Sequence, residues 1–143
     1  MSSTITLTER LIEVLSIRPE ILEGYLFGSR ARGVGHAHSD IDVAVYVDTD
    51  RITPGPFGYR SELTSVLMSA LGSNAVDVVV LNDAPPLLYH RVLRDGVRLV
   101  ARDLRATTVR EGRALSRHCD FVSQLAKIDS FLGADAPVAE TRR

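Results

Sequence analysis

The run Ile41-Asp-Val-Ala-Val-Tyr-Val47 constrains this chain more than any other stretch. It is β-rich and mostly apolar, the mark of a strand buried on both faces. Val76 to Leu81 is a second such run, and Asp77 is its one charge. Helical patterns surround both. Thr6-Leu7-Thr8-Glu9 has capping-box spacing, Leu11, Ile12, Val14 and Leu15 follow at helical intervals, and Pro19 marks the stop. Gly24 to Phe27 reads as a short strand ending at Gly28-Ser29. Residues 53–58 carry two prolines and two glycines and must form a loop. Tyr59, Leu63, Val66, Leu67, Ala70 and Leu71 make a helical stripe closed by Gly72. Pro85-Pro86 opens a short helix through Arg94, and Gly96 ends it. Val97 to Ala101 alternates as a more exposed last strand. Thr108 and Glu111 repeat the capping-box spacing, and Leu115, Val122, Leu125, Ile128 and Leu132 trace one face of a long C-terminal helix. The alternation predicts an α/β (α+β) fold, a small mixed β-sheet flanked by helices. The expected organisation is one domain over 1–133, with a core over 8–102, a helix over 105–133 and a disordered tail over 134–143.

Composition narrows the function classes. The chain has 143 residues, 45% hydrophobic and 24% charged, with a net charge of −1. That apolar content excludes general disorder, and the charge balance leaves no global basic field, so direct nucleic-acid binding is not expected. The single cysteine, Cys119, excludes a cysteine-based zinc site and is read as a small buried hydrophobe. No apolar run reaches the roughly 20 residues that span a bilayer. The N-terminal residues lack the basic and apolar regions of a signal peptide. The expectation is a soluble cytoplasmic protein with no membrane contact.

Three carboxylates sit where carboxylates are expensive. Asp40 and Asp42 enter an apolar strand two residues apart, so their side chains share a face. Like charges that close repel unless a cation lies between them. Asp77 falls on the same parity as Val79 and Leu81 and reaches the Asp40/Asp42 face if the two strands are neighbours. Three such oxygen donors suit Mg²⁺, which shares its coordination with substrate phosphates. Upstream, Gly28 lets backbone approach a phosphate closely, and the following N–H groups and the Ser29 hydroxyl can donate to it. Arg30 and Arg32 add positive charge nearby. A phosphate cradle followed by three carboxylates is a layout for metal-assisted phosphoryl or nucleotidyl transfer.

Gly28-Ser29, ten residues, then Asp40-Ile41-Asp42 resembles the signature of the minimal nucleotidyltransferase family of the DNA polymerase β superfamily. The words Gly-Ser-Arg-Ala-Arg-Gly (28–33) and Ser-Asp-Ile-Asp-Val-Ala-Val (39–45) are similar to that family, as is Val76-Asp77-Val78-Val79, the strand of its third acid. The resemblance covers about residues 8–102. It implies a nucleotidyltransferase fold and transfer of AMP from an ATP donor to a hydroxyl, often a tyrosine of a HEPN-type toxin for which the protein is the antitoxin. It also implies two Mg²⁺ ions held by Asp40, Asp42 and Asp77, with Gly28 and Ser29 on the triphosphate. Arg30 would contact phosphate; Arg32 would either do the same or pair with an acid. Two alternatives stay open: an antitoxin that neutralises its toxin by binding alone, and an adenylyltransferase of small molecules such as aminoglycosides. Larger relatives of the second kind carry a further C-terminal domain, whereas after residue 102 this chain has room for about one long helix.

Other polar residues have plainer readings. His36 and His38 lack partners at a recognised zinc spacing and are read as solvated loop histidines, and His90 and His118 as structural or exposed helix residues. The arginines at 98, 102, 105, 110, 113 and 117 read as a solvated face or as a surface for an acidic partner. The apolar stripe at 115–132 is most simply a helix covering the sheet, with part of it free to meet a partner.

Overall fold

The computed structural model describes residues 6–28, 40–53, 55 and 57–133. The elements run α1 (Leu7–Ser16), β1 (Ile21–Phe27), β2 (Ile41–Val47), α2 (Tyr59–Leu71), β3 (Val76–Val80), α3 (Pro86–Asp95), β4 (Val97–Ala101) and α4 (Leu104–Gly133), with short 3-10 turns at Thr49–Arg51 and Leu81–Asp83. The four strands form one mixed sheet in the order β3-β2-β1-β4. β1 is antiparallel to β2 and to β4, whereas β2 and β3 are parallel. This is the small mixed sheet with helices and a long C-terminal helix that the sequence predicts.

Side-chain alternation divides the sheet into two faces. Ile41, Val43, Val45 and Val47 of β2 join Val76 and Val78 of β3 in a cluster with Leu11 and Leu15 of α1 and Leu63 and Leu67 of α2. The opposite parity sends Tyr25, Phe27 and Ala44 against Tyr89 and Val92 of α3 and Ala114 of α4. Full burial of a leucine contributes about 1.5–3 kcal/mol, so the four helix leucines fix α1 and α2 on the first face. Local signals set the ends. Thr6 Oγ1 accepts from the Glu9 N–H at 3.1 Å while Glu9 Oε1 accepts from the Thr6 N–H at 3.0 Å, the reciprocal cap that starts α1. Gly72, at φ +64°, closes α2.

Four local expectations are corrected. β1 begins at Ile21, three residues early, because Glu23 is buried within it by partners 84 and 87 residues away, Thr107 and Arg110. α4 begins at Leu104, capped by Asp103 Oδ1, which accepts from the N–H groups of Arg105 (3.1 Å) and Ala106 (3.3 Å). Thr108 therefore lies inside the helix, its hydroxyl donating to the Arg105 carbonyl, and Glu111 takes the Tyr25 hydroxyl and the Arg98 guanidinium instead of capping. The 115–132 stripe does not cover the sheet. Leu115, Val122, Leu125, Ile128 and Leu132 are 45–57% exposed, and among the residues of α4 whose burial is described, the buried ones are Thr107 and Ala114, near its start. Cys119 is exposed, because it lies beyond the point where α4 leaves the sheet. The tail 134–143 lies outside the described residues.

Among the described residues, no helix is long and apolar enough to cross a membrane.

Candidate functional site

β1 delivers Gly28 to the carboxylates. Phe27, its last residue, is the register partner of Asp42 across the β1–β2 ladder. Gly28 then turns away at φ +81°, in the left-handed region that disfavours other residues. A Cβ built on Gly28 would fall on the Asp42 carboxylate oxygen. Glycine is thus favoured by the turn, and its missing side chain leaves space that Asp42 fills.

The parallel ladder brings the third carboxylate in. The Ile41 N–H donates to the Ala75 carbonyl at 2.7 Å, which sets Asp42 opposite Asp77. Neighbouring strands lie about 4.8 Å apart. Asp42 and Asp77 are both on the α3/α4 face by parity, and both line a cleft of about 980 Å³ with Gly28, Arg60, Arg91 and Asp95. Asp40, one residue before β2, is exposed and stands outside that lining.

Asp42 is the strained member. It is half-buried, and no hydrogen bond or ion pair reaches it among the described residues. Burial pushes its pKa up, and the like charges of Asp77 and Asp40 push the same way. Asp77 has a cation beside it: Arg60 Nη2 lies 3.4 Å from Asp77 Oδ1. Among the described residues, no three His, Cys, Asp or Glu side chains are gathered closely enough to cage an ion as they stand. Asp42 and Asp77 come together, while the charge of Asp40 acts on Asp42. Ser29, Arg30, Arg32, His36 and His38 lie outside the described residues.

The arginines of the C-terminal third separate into distinct roles. Arg102 donates to the carbonyls of Leu15, Ser16, Arg18 and Ile21 and so fastens the end of α1. Arg98 pairs with Glu111 at 2.7 Å, and Arg110 pairs with Glu23. Arg105, Arg113 and Arg117 are exposed. His90 and His118 stack at 3.7 Å between α3 and α4, a structural role.

Sequence reading missed the cleft's cationic side. Arg60 opens α2, and Arg91 and Arg94 lie on α3; all three line the cleft. The available signal was position: α2 directly precedes the strand that carries Asp77, so its first turn returns to that strand's edge.

The sheet order, the paired aspartates and the glycine turn define a class. The sequence profile of the Polymerase beta, Nucleotidyltransferase family matches residues 9–105, and the chain belongs to that family. It is similar to the protein adenylyltransferase MntA of Shewanella oneidensis, with 42% identity over 83 residues, 57% of this chain. The match spans about half of that relative, 55% of its length. Among solved structures, a toxin–antitoxin with AMP-PNP contains a chain 29% identical to this one, with a TM-score of 0.71, 89% of this chain covered and 99% of the other. A chain of the complex between tri-AMPylated Shewanella oneidensis HEPN toxin and MNT antitoxin is 28% identical, with a TM-score of 0.63 and 87% and 95% covered.

Proposed function

We propose that this chain is a nucleotidyltransferase that moves AMP from ATP to a hydroxyl of a protein, a tyrosine of a cognate HEPN-type toxin, and thereby acts as its antitoxin. The carrying observation is the register pair Asp42 and Asp77, two carboxylates brought together at the cleft, with no cation paired to Asp42 among the described residues. An arrangement that costs stability in the free protein fits a site built for a bound cation. The likeness to an adenylyltransferase and to a toxin–antitoxin complex solved with AMP-PNP supports the nucleotide and the partner.

The donor set fits Mg²⁺: oxygen ligands only, negatively charged, and partly open to water. Asp40, Asp42 and Asp77 are the residues that would hold two Mg²⁺ ions. Bound there, the ions would offset the carboxylate charge and draw electron density from the triphosphate. The chain's own residues do the rest. Gly28 turns the chain at the end of β1, and Ser29, Arg30 and Arg32, which follow it in sequence, would donate hydrogen bonds to a phosphate. Asp77 accepts the proton of the acceptor hydroxyl. The acceptor oxygen forms a bond to the α-phosphorus, the bond to the bridging oxygen breaks, and pyrophosphate leaves with that electron pair.

The test is a mass measurement. A purified HEPN-type toxin is incubated with MgATP and a tenth as much of the protein. The proposal expects an AMP mass gain on most toxin molecules. Inhibition only at equal stoichiometry, with no mass gain, would make the protein an antitoxin by binding alone. Transfer to small molecules without the toxin would make it a small-molecule adenylyltransferase.

A further inference from the structure

Arg60 stands in the cleft for a reason that the family signature does not supply. Among the described residues β3 is an edge strand, paired only to β2. The Ala75 carbonyl accepts from β2. By strand alternation the Val78 carbonyl, three residues on, faces the other way, off the open edge. Arg60 Nε donates to that carbonyl at 2.8 Å. From this anchor its Nη2 lies 3.4 Å from Asp77 Oδ1. One planar fork is therefore tied at one end to backbone and at the other to the third carboxylate. The second oxygen of Asp77 has no hydrogen-bond partner among the described residues.

As a contribution to stability this pair is poor. The Arg60 and Asp77 side chains are 66% and 57% exposed, and exposed ion pairs contribute little. Its geometry has another use. Asp42 and Asp77 repel across the ladder, and a free Asp77 would choose among rotamers. A guanidinium fixed to the backbone on the edge side draws one oxygen of Asp77 toward the open edge of the sheet. The other oxygen is left to face the reaction.

We propose that Arg60 is a positioning residue for the transfer step, holding Asp77 in the one orientation from which it takes the acceptor proton. This rests on the role given to Asp77 above. Lysine cannot replace it, because a single ammonium on a flexible stem cannot hold both the Val78 carbonyl and Asp77 in fixed planar geometry.

The experiment compares the full chain with Arg60→Met, Arg60→Lys, Asp77→Asn and the double variant Arg60→Met/Asp77→Asn. Three quantities are read: AMP-PNP affinity with Mg²⁺ by calorimetry, melting temperature, and the single-turnover rate of AMP transfer to the toxin. Misplacing a reacting group by about 1 Å costs up to about a hundredfold, so Arg60→Met should transfer roughly ten- to a hundredfold more slowly. Its nucleotide affinity should stay within about twofold and its melting temperature should hold. Arg60→Lys should recover only part of the rate. The double variant should be no slower than Asp77→Asn, since an arginine that acts through Asp77 has nothing left to position. Transfer by Arg60→Met at the wild-type rate overturns the proposal. So does a parallel loss of rate, affinity and melting temperature, the pattern of a structural edge cap. If Asp77→Asn itself transfers normally, the role of Asp77 is wrong and the inference falls with it. If Asp77→Asn is slow and Arg60→Met is not, the inference alone fails.

Discussion

Two acidic side chains on the same face of the sheet have opposite fates. Glu23, in β1, is fully buried, and burial pushes its pKa up. Arg110 and Thr107 pull against that, the guanidinium pairing with Oε2 and the hydroxyl donating to it at 2.9 Å. Asp42, at the other end of the face, is also desolvated, but its neighbours are two more carboxylates, which add to the burial. The fold completes the first site with its own arginine from α4. At the second, no cation reaches Asp42 among the described residues, and the repulsion persists. A carboxylate supplied with a cation by its own chain holds the structure together; one without such a partner among the described residues is, in the function proposed above, the place for a cation from outside.

The largest expected effect comes from removing the charge on the unfinished side. Asp42→Asn should lower AMP transfer by a thousandfold or more, about 4 kcal/mol in the barrier. In magnesium-free buffer its melting temperature should equal or exceed that of the wild type, because repulsion is relieved. Near-normal transfer, followed by radiolabelled ATP, would break the comparison.

On the finished side, Arg110→Met should do the reverse. Leaving Glu23 buried without its cation costs about 3–5 kcal/mol, read by denaturant unfolding, with AMP-PNP affinity unchanged in the folded fraction. A loss under about 1 kcal/mol would mean that Glu23 is no more committed to structure than Asp42.

Gly28→Ala sits between the two. The left-handed backbone costs about 1–2 kcal/mol, and the added methyl displaces the Asp42 carboxylate. Stability and magnesium-dependent nucleotide binding should fall together. Intact binding, measured by calorimetry, would show that the position of Asp42 tolerates movement.

The smallest effect is expected on the free part of α4. Leu125→Ser, at a half-exposed position, should change stability by no more than about 0.5 kcal/mol. A larger loss in unfolding experiments would show that the distal stripe is covered in solution.

The sequence was most legible where local chemistry decides. The Thr6/Glu9 cap, Pro86 at the start of α3, Gly72 at the end of α2 and the apolar runs of β2 and β3 each carry their signal in a few residues. Asp42 and Asp77 were legible for the same reason: charges in apolar strands stand out, and parity placed these two on one face. What the sequence hid lies in long-range pairing. Nothing near Glu23 announces Arg110, 87 residues on, so β1 read as short. Nothing near Arg60 announces the Val78 carbonyl, because which strand lies at the edge is a property of the assembled sheet. The α4 stripe misled because helical periodicity reports an apolar face without reporting whether the sheet extends far enough to meet it.

In the proposed function Asp42 awaits a cation that the nucleotide brings. Calorimetric titration of AMP-PNP into wild type and Asp42→Asn, each with and without Mg²⁺, tests it most directly. Mg²⁺ should strengthen binding to the wild type at least about tenfold, roughly 1.4 kcal/mol, and leave binding to Asp42→Asn unchanged. Equal affinities for the wild type with and without Mg²⁺, or the same magnesium response in both proteins, would contradict it.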